Sequence, residues 1–306
     1  MASVTLAESA KLSQDMLVQG VIENVITVNH MYGVLPFEGI EGNALAYNRE
    51  NVLGDVDVEG VGDTIGGKAA ATFTQVTSSL TTILGDAEVN GLIQSTRSNM
   101  TDQTSVQIAS KAKSAGRKYQ DMLINGTGAS NQFDGLINLC AAGQTVDTGT
   151  DGSALSFAIM DNLIDLVTDK DGQVDYIAMH ARTIRSYRAL LRALSGAGIN
   201  ETVELFPNGP KVPHYQGIPI LRNDWIPINQ TKGVSTGCTT IFAGTFDDGS
   251  RTHGIAGLTS ARDAGLSVID VGEKEEKDEH IWRVRWYCGL ALYSEKGLAC
   301  ADGITN

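Results

Sequence analysis

Residues 62–69 read GDTIGGKA, one letter away from a loop that cradles nucleotide phosphates. Gly62 is followed by four residues and then by Gly67 and Lys68, but Ala69 stands where a magnesium-binding hydroxyl belongs. Such a loop needs a buried strand before it and a helix after it. DVDVEGV, before it, is too acidic for a buried strand, and AAATFTQVTSS, after it, is too rich in Thr and β-branched residues for a helix. The glycines therefore read as part of a hairpin loop. DKDGQVD, 169–175, resembles the front of a calcium loop, but Gly172 comes fourth and His180 stands where the twelfth-position glutamate should be, so a helix-to-strand turn explains it better. His30, His180, His214, His253 and His280 are scattered, with no H-E-x-x-H and no G-x-S-x-G in the chain. Cys140, Cys238, Cys288 and Cys300 lie far apart without C-x-x-C spacing and read as buried small hydrophobes, not as a zinc site or a disulfide framework. The chain thus presents no catalytic, cofactor-binding or metal-ligating set. One charged cluster remains: RTIRSYRALLRAL places Arg182, Arg185, Arg188 and Arg192 three and four residues apart, on one helix face.

Composition narrows the partners. The 306 residues are 42% hydrophobic, enough for a sizeable core, and carry a net charge of −13. A chain this acidic is poorly suited to gripping nucleic acid, which needs clustered Lys and Arg, so the arginine face reads as a contact with acidic groups of a neighbouring surface or as a solvated face. No window is long and apolar enough to span a bilayer, and the first twenty residues lack the basic-then-apolar order of a signal peptide. GEKEEKDEH, 272–280, reads as a solvated turn.

The elements that would position these residues are uneven. Residues 1–42 form an arm whose helical patch LSQDMLVQGVIENV presents Leu12, Met16 and Val21 with no partner nearby in sequence. NALAYNRE reads as a strand, DVDVEGV alternates polar and apolar residues, and ATFTQVTSSLTTIL is a second β-rich stretch. Together they predict a long two-stranded hairpin, which alone in water is marginal and must lie on something. The longest helix signal runs over 102–125, with Asp102 as N-cap and Val106, Ala109, Ala112, Gly116, Tyr119 and Leu123 at helical spacing; Gly116 inside it suggests close packing. Helix, strand and helix follow from Ser153, a predicted cap, and then a series of strands. The final WRVRWYCGLALYSEKGLACADG alternates and then turns uniformly apolar, as a strand does when it enters a core, and is expected to pack on the 102–125 helix.

In this order the parts resemble the major capsid proteins of tailed double-stranded DNA phages, with the Hong Kong 97 fold. The resemblance rests on GNALAYNRENVLGDVDVEGVGD with AAATFTQVTSSLTTILGDAEVN, on VQIASKAKSAGRKYQDMLINGTGASNQFDGLINL and on YQGIPILRNDWIP, and it covers essentially the whole chain. It implies an α+β fold with an N-terminal arm (1–42), an extended hairpin or E-loop (43–82), a peripheral domain (83–144) with its spine helix at about 102–125, an axial α/β domain (145–255), and return strands completing the peripheral domain (256–306). It also implies function: a non-enzymatic subunit, without cofactors, that assembles with itself into the hexamers and pentamers of an icosahedral shell around double-stranded DNA held without sequence-specific binding. Portal, and separate scaffolding or decoration proteins, are the implied further partners; the virion, assembled in host cytoplasm, is the implied location, with no membrane involved. The resemblance places contacts between subunits at Asp55, Asp57, Glu59, Asp63, Lys68 and Phe73 of the hairpin, at Leu12, Met16 and Val21 of the arm, and at Arg185, Arg188 and Arg192 of the axial domain. Some family members join an E-loop lysine to a neighbour's asparagine; Lys68 is the only lysine in this hairpin, nothing identifies a partner, and noncovalent assembly is expected. With about forty residues before the hairpin and no long coiled-coil segment, scaffolding is expected from a separate protein or not at all. The alternatives are an encapsulin-type compartment shell, which shares the fold, and an α/β enzyme built on the 153–195 unit.

Overall fold

The computed structural model describes residues 30–64, 66–97, 102–169, 172–193, 202–204 and 211–305. The arm residues Leu12, Met16 and Val21 lie outside the described residues. The strands, in chain order, are β1 Phe37–Ile40, β2 Ala44–Val52, β3 Thr72–Ser79, β4 Thr81–Asn90, β5 Thr145–Val146, β6 Ser153–Ala154, β7 Tyr176–Met179, β8 Thr202–Glu204, β9 Lys211–Tyr215, β10 Ile218–Arg222, β11 Gln230–Lys232, β12 Ser235–Gly244, β13 Ile255–Ser260, β14 Leu266–Glu273, β15 Glu279–Leu292 and β16 Leu298–Thr305. They make a five-stranded sheet, a nine-stranded sheet and the separate hairpin β2–β3.

The five-stranded sheet is organised by β15. From Glu279 to Cys288 it pairs antiparallel with β4, while β14 and then β13 follow each other along its other edge. β1 pairs parallel with β13. The long helix Gln103–Asn125 packs across this sheet. Asp102 caps it as expected, its carboxylate accepting from the amides of Thr104 and Ser105. Alternation along β15 sends Val284, Trp286, Cys288, Leu290 and Leu292 into the core under the helix. Ala291 and Tyr293 point to the opposite face, where they meet Ile40, Ala256 and Leu258. Tyr119 is the centre of the helix side: it is fully buried, 4.6 Å from the ring of Trp286, and surrounded also by Tyr32, Phe37 and Phe133.

In the nine-stranded sheet the strands run in the order β5-β16-β12-β7-β10-β9-β8, with β11 beside β12 and β6 beside β16. Both faces of its centre are buried, which is why YIAM and IFAG read as unbroken apolar runs. Ile177, Met179, Ile220, Ile241, Ala243, Ala299 and Ala301 face the helices Phe157–Thr168 and Ala181–Ala193. Tyr176, Ala178, Leu221, Phe242, Leu298 and Cys300 face the core shared with the long helix.

Several sequence expectations are corrected. DVDVEGV is not a strand: β2 ends at Val52 and pairing resumes only at Thr72, because residues 53–71 have no second layer on which to bury alternate side chains. ATFTQVTSSLTTIL is two strands, β3 in the hairpin and β4 in the sheet. Ser156, not Ser153, caps the helix beginning at Phe157; Ser153 is spent in the short strand β6 beside β16. A pairing the sequence left open is settled: the last strand, β16, joins β12 in the nine-stranded sheet, the tight turn around Glu295–Gly297 carrying the chain there from β15.

Gly116 is also corrected. A methyl group added there would meet nothing within 4 Å, so the glycine does not mark a close approach. It lines an open cavity of about 620 Å³ with Tyr32, Phe37, Leu266 and Trp286. Overpacking is therefore not the expected effect of substitution. Gly116→Ala should stabilise the subunit by about 1 kcal/mol through helix propensity, read as a raised urea midpoint; a lowered midpoint would show that the glycine is needed for packing after all.

One ion pair ties β4 to β15. Arg283 donates from Nε and a terminal nitrogen to the two oxygens of Asp86 at 2.8 and 2.9 Å, across a register pair of the sheet. That bond, against a smaller opposing effect of burial, holds the Asp86 carboxyl below its usual range. A carboxyl depressed in the folded state stabilises above its unfolded pKa, about 3.9, and loses that contribution as pH falls toward the folded value. Asp86→Asn should accordingly lower stability at neutral pH and flatten the acid limb of the stability profile below about pH 4. A variant whose acid limb is as steep as the parent's would assign that limb to other carboxylates.

Candidate assembly surfaces

The hairpin β2–β3 is built on a register in which Tyr47 faces Val76 and Arg49 faces Thr74. Alternation along β2 puts Leu45, Tyr47 and Arg49 on the half-buried side and leaves Ala46, Asn48 and Glu50 exposed. That side is fastened to the turn after β15. The Tyr47 hydroxyl donates to the Leu292 carbonyl at 2.7 Å. Arg49 donates from Nε to the Tyr293 carbonyl at 3.0 Å, from Nη2 to the Leu292 carbonyl at 2.5 Å, and from Nη1 to Glu295 at 2.9 Å. Tyr47 and Tyr293 also meet edge to face at 5.2 Å. These bonds satisfy carbonyls at the end of β15 and set the direction in which the hairpin leaves the body. Sequence reading missed Tyr47 and Arg49 as anchors, although their period-two spacing with Leu45 was the available signal.

Beyond Val52 and before Thr72 the described residues are exposed or only partly covered. Asp55, Asp57, Glu59, Asp63, Lys68 and Phe73 are all exposed. So are Val56, Val58 and Val61, at 89, 102 and 111% of the reference area, an unusual display for three valines in one short loop. Order within the loop comes from its own backbone and carboxylates: the Asp55 amide donates to the Ala69 carbonyl at 2.9 Å, and Asp63 accepts from the Gly60 amide at 2.9 Å. GDTIGGKA does its work here. Gly62 takes a φ of +96°, which a side chain would strain. At Gly67 a Cβ would stand 2.8 Å from the Asp57 nitrogen, so the two limbs of the loop can lie side by side only without one. No helix follows Lys68; the next element is β3, and the nucleotide-loop reading lacks the amide cradle it requires.

On the helix Ala181–Ala193, Thr183, Ile184 and Tyr187 are buried, and Arg185, Arg188 and Arg192 lie together on the exposed side. Arg182, read from spacing as a fourth member, turns inward and donates to the carbonyls of Ile228 and Gly237. The difference arises because Arg182 sits in the first helical turn, over the loop before β11. The arginine face and the hairpin loop belong to separate elements and do not form a common site. Among the described residues, no group of three or more His, Cys, Asp or Glu side chains is placed to hold a metal ion.

No family model and no curated protein matches the chain. Solved structures do match, along nearly the full length of both partners. The SrpI encapsulin complex of Synechococcus elongatus superposes with a TM-score of 0.73 at 19% identity, over 99% of this chain and 96% of that one. The capsid of the native GTA particle matches with a TM-score of 0.68 at 12% identity, over 100% of both chains. The capsid of the Myoviridae phage XM1 matches with a TM-score of 0.62 at 12% identity, over 99% and 100%. A projecting hairpin, a long helix laid on a sheet threaded by the penultimate strand, and a second, larger sheet flanked by two helices make up an α+β chain with the Hong Kong 97-type fold, the fold of these capsid and encapsulin subunits.

Proposed function

We propose that the chain is the structural subunit of an icosahedral shell, the major capsid protein of a tailed double-stranded DNA phage, assembled from hexamers and pentamers. The observation that carries the reading is end-to-end likeness to capsid subunits, with 100% of both chains covered in one case. The hairpin supports it independently: its exposed valines have no partner within the subunit, and burial on a second copy removes them from water. In this reading Asp55, Asp57, Glu59, Asp63, Lys68 and Phe73 meet a neighbouring subunit, as do Leu12, Met16 and Val21 of the arm. Arg185, Arg188 and Arg192 lie at the contacts around the symmetry axes, in an axial domain of about residues 145–255. The net charge of −13 suits a wall along which packaged DNA must not stick. Portal, scaffolding and decoration proteins, and a virion location after assembly in host cytoplasm, belong to the same proposal. Subunits are held noncovalently; no turnover is involved.

Electron microscopy of the purified protein tests the reading. Closed icosahedral particles, with genome-length DNA in those taken from producing cells, are the expected result. Particles filled with an enzyme and free of genomic DNA would assign the chain to compartment shells, and a protein that stays monomeric at all concentrations would overturn the shell reading. Boiled in SDS, the particles should yield a single band near 32.5 kDa. A ladder that vanishes in Lys68→Ala would overturn noncovalent assembly.

A further inference from the structure

The spacing of the four cysteines argues against pairing, but folding places two of them together. Cys140 ends the short helix Leu136–Leu139, and five residues later β5 begins. Parallel pairing of β5 with β16 sets Thr145 opposite Cys300. The Thr145 hydroxyl then lies 3.4 Å from the Cys300 sulfur and 3.9 Å from the Cys140 sulfur, so one side chain touches both. Both sulfurs line a cavity of about 400 Å³ that also receives Lys232, Thr240 and Asp302. We infer that Cys140 and Cys300 are a dithiol that a small-molecule disulfide entering this cavity converts to an intramolecular disulfide, an oxidative modification site that ties the C-terminal strand to the segment following the long helix.

The two sulfurs are unequal. Their interaction with each other, ahead of burial, lowers the Cys300 thiol pKa and raises that of Cys140. Cys300 is therefore the sulfur that reaches the thiolate first, and the thiolate is the nucleophile. In the first step it attacks one sulfur of oxidised glutathione. The S–S bond of glutathione breaks, and one glutathione thiolate leaves and takes up the proton that Cys300 released. In the second step Cys140, deprotonated in turn, attacks the Cys300 sulfur of the mixed disulfide and expels the other glutathione thiolate, which takes up the Cys140 proton. Two protein thiols are oxidised and one glutathione disulfide is reduced to two thiols.

Neither of the other cysteines has this arrangement. Cys238 borders the same cavity but is fully buried, and its thiol donates to the Ser235 carbonyl at 3.6 Å. Cys288 is buried in the core beneath the long helix, where burial pushes its thiol up to about 12. A 140–300 bond would close a loop of roughly 160 residues that contains most of both sheets, and a longer closed loop removes more entropy from the unfolded chain. It would also hold β16, which pairs with β12 in the middle of the nine-stranded sheet, against being drawn out. The inference needs only the folded chain and is independent of the shell reading.

The experiment treats the whole purified protein with oxidised glutathione at mildly alkaline pH and titrates the thiols left after denaturation in SDS. Loss of two of the four thiols is expected, with peptide mapping finding Cys140 joined to Cys300 and the urea midpoint raised. Cys140→Ser should retain a stable glutathione adduct on Cys300, because the resolving thiol is gone. Cys300→Ser should keep Cys140 reduced under the same treatment. Cys238→Ser should form the 140–300 bond as the parent does. A parent protein that keeps all four thiols, that carries unresolved glutathione on both cysteines, or that links a different pair would overturn the inference.

Discussion

Replacing residues 56–68 with a short Gly-Ser linker is expected to leave a folded, soluble subunit that forms no closed shells. The cut removes Val56, Val58, Val61 and Lys68 but keeps Asp55 and Ala69, whose backbone bond at 2.9 Å closes the loop's neck. It also keeps Tyr47 and Arg49, which anchor the hairpin to the turn after β15. Among the described residues removed, no side chain is buried within the subunit, so the unfolding midpoint should move by no more than a surface change does, about 0.5 kcal/mol. Assembly, in contrast, loses the most exposed apolar group of the described residues. Burying three valines stabilises an interface by roughly 1.5–3 kcal/mol each before association costs are met, and in the proposed shell the contact would recur at every subunit. Calorimetry and negative-stain microscopy of the same preparation separate the two effects. Normal shells would remove the hairpin tip from the assembly contacts. A collapsed monomer would show that the tip is part of the subunit's own fold.

The largest effect on the subunit itself is expected at Tyr119. It is fully buried where the long helix crosses β15, and its ring touches those of Tyr32, Phe37, Phe133 and Trp286. Tyr119→Ala would leave a cavity in the middle of this aromatic group and cost about 3–5 kcal/mol, a large share of the stability of an ordinary domain. Tyr119→Phe keeps the ring and loses only the hydroxyl, which donates to the Gly289 carbonyl at 3.3 Å; the cost should be about 1 kcal/mol. Denaturant unfolding of the two variants checks the ranking. If the two variants lose similar amounts, the hydrogen bond and not the packing holds the helix on the sheet.

The local elements were largely legible. Asp102 before a helical stripe ending at residue 125 marked the long helix to within a residue, because caps and periodicity act over one or two turns and need no tertiary partner. The strands Tyr176–Met179 and Ser235–Gly244 were legible for the same reason, as compact apolar runs between turn residues. The failures came where a residue pattern has one meaning alone and another in context. DVDVEGV alternates like a strand, yet no second layer receives its valines. Ser153 looks like a cap, yet β16 offers it a strand partner first. Gly116 looks like a close contact, yet an open cavity lies beside the helix at that point.

The candidate surfaces divide in the same way. The hairpin's lack of a core and the helical spacing of Arg185, Arg188 and Arg192 were readable along the chain, since each depends on residue type and short-range period. Which face each side chain takes was not. Arg182 shares the spacing of its neighbours but spends its charge on two carbonyls inside the subunit. Tyr47 and Arg49 became anchors only because β15 ends with its carbonyls turned toward them, more than 240 positions away.

The amino-acid sequence by itself determined the order and kind of the elements, the acidic balance and the presence of a projecting hairpin. Tertiary structure alone decided that β16 leaves β15 for the other sheet, that the hairpin is bolted at Arg49, and that Cys140 and Cys300 share one hydroxyl. The physical reason is range: propensity, capping and periodicity act between residues a few positions apart. Strand pairing, side-chain burial and sulfur proximity are settled between segments that meet only when loops of a hundred residues or more have closed.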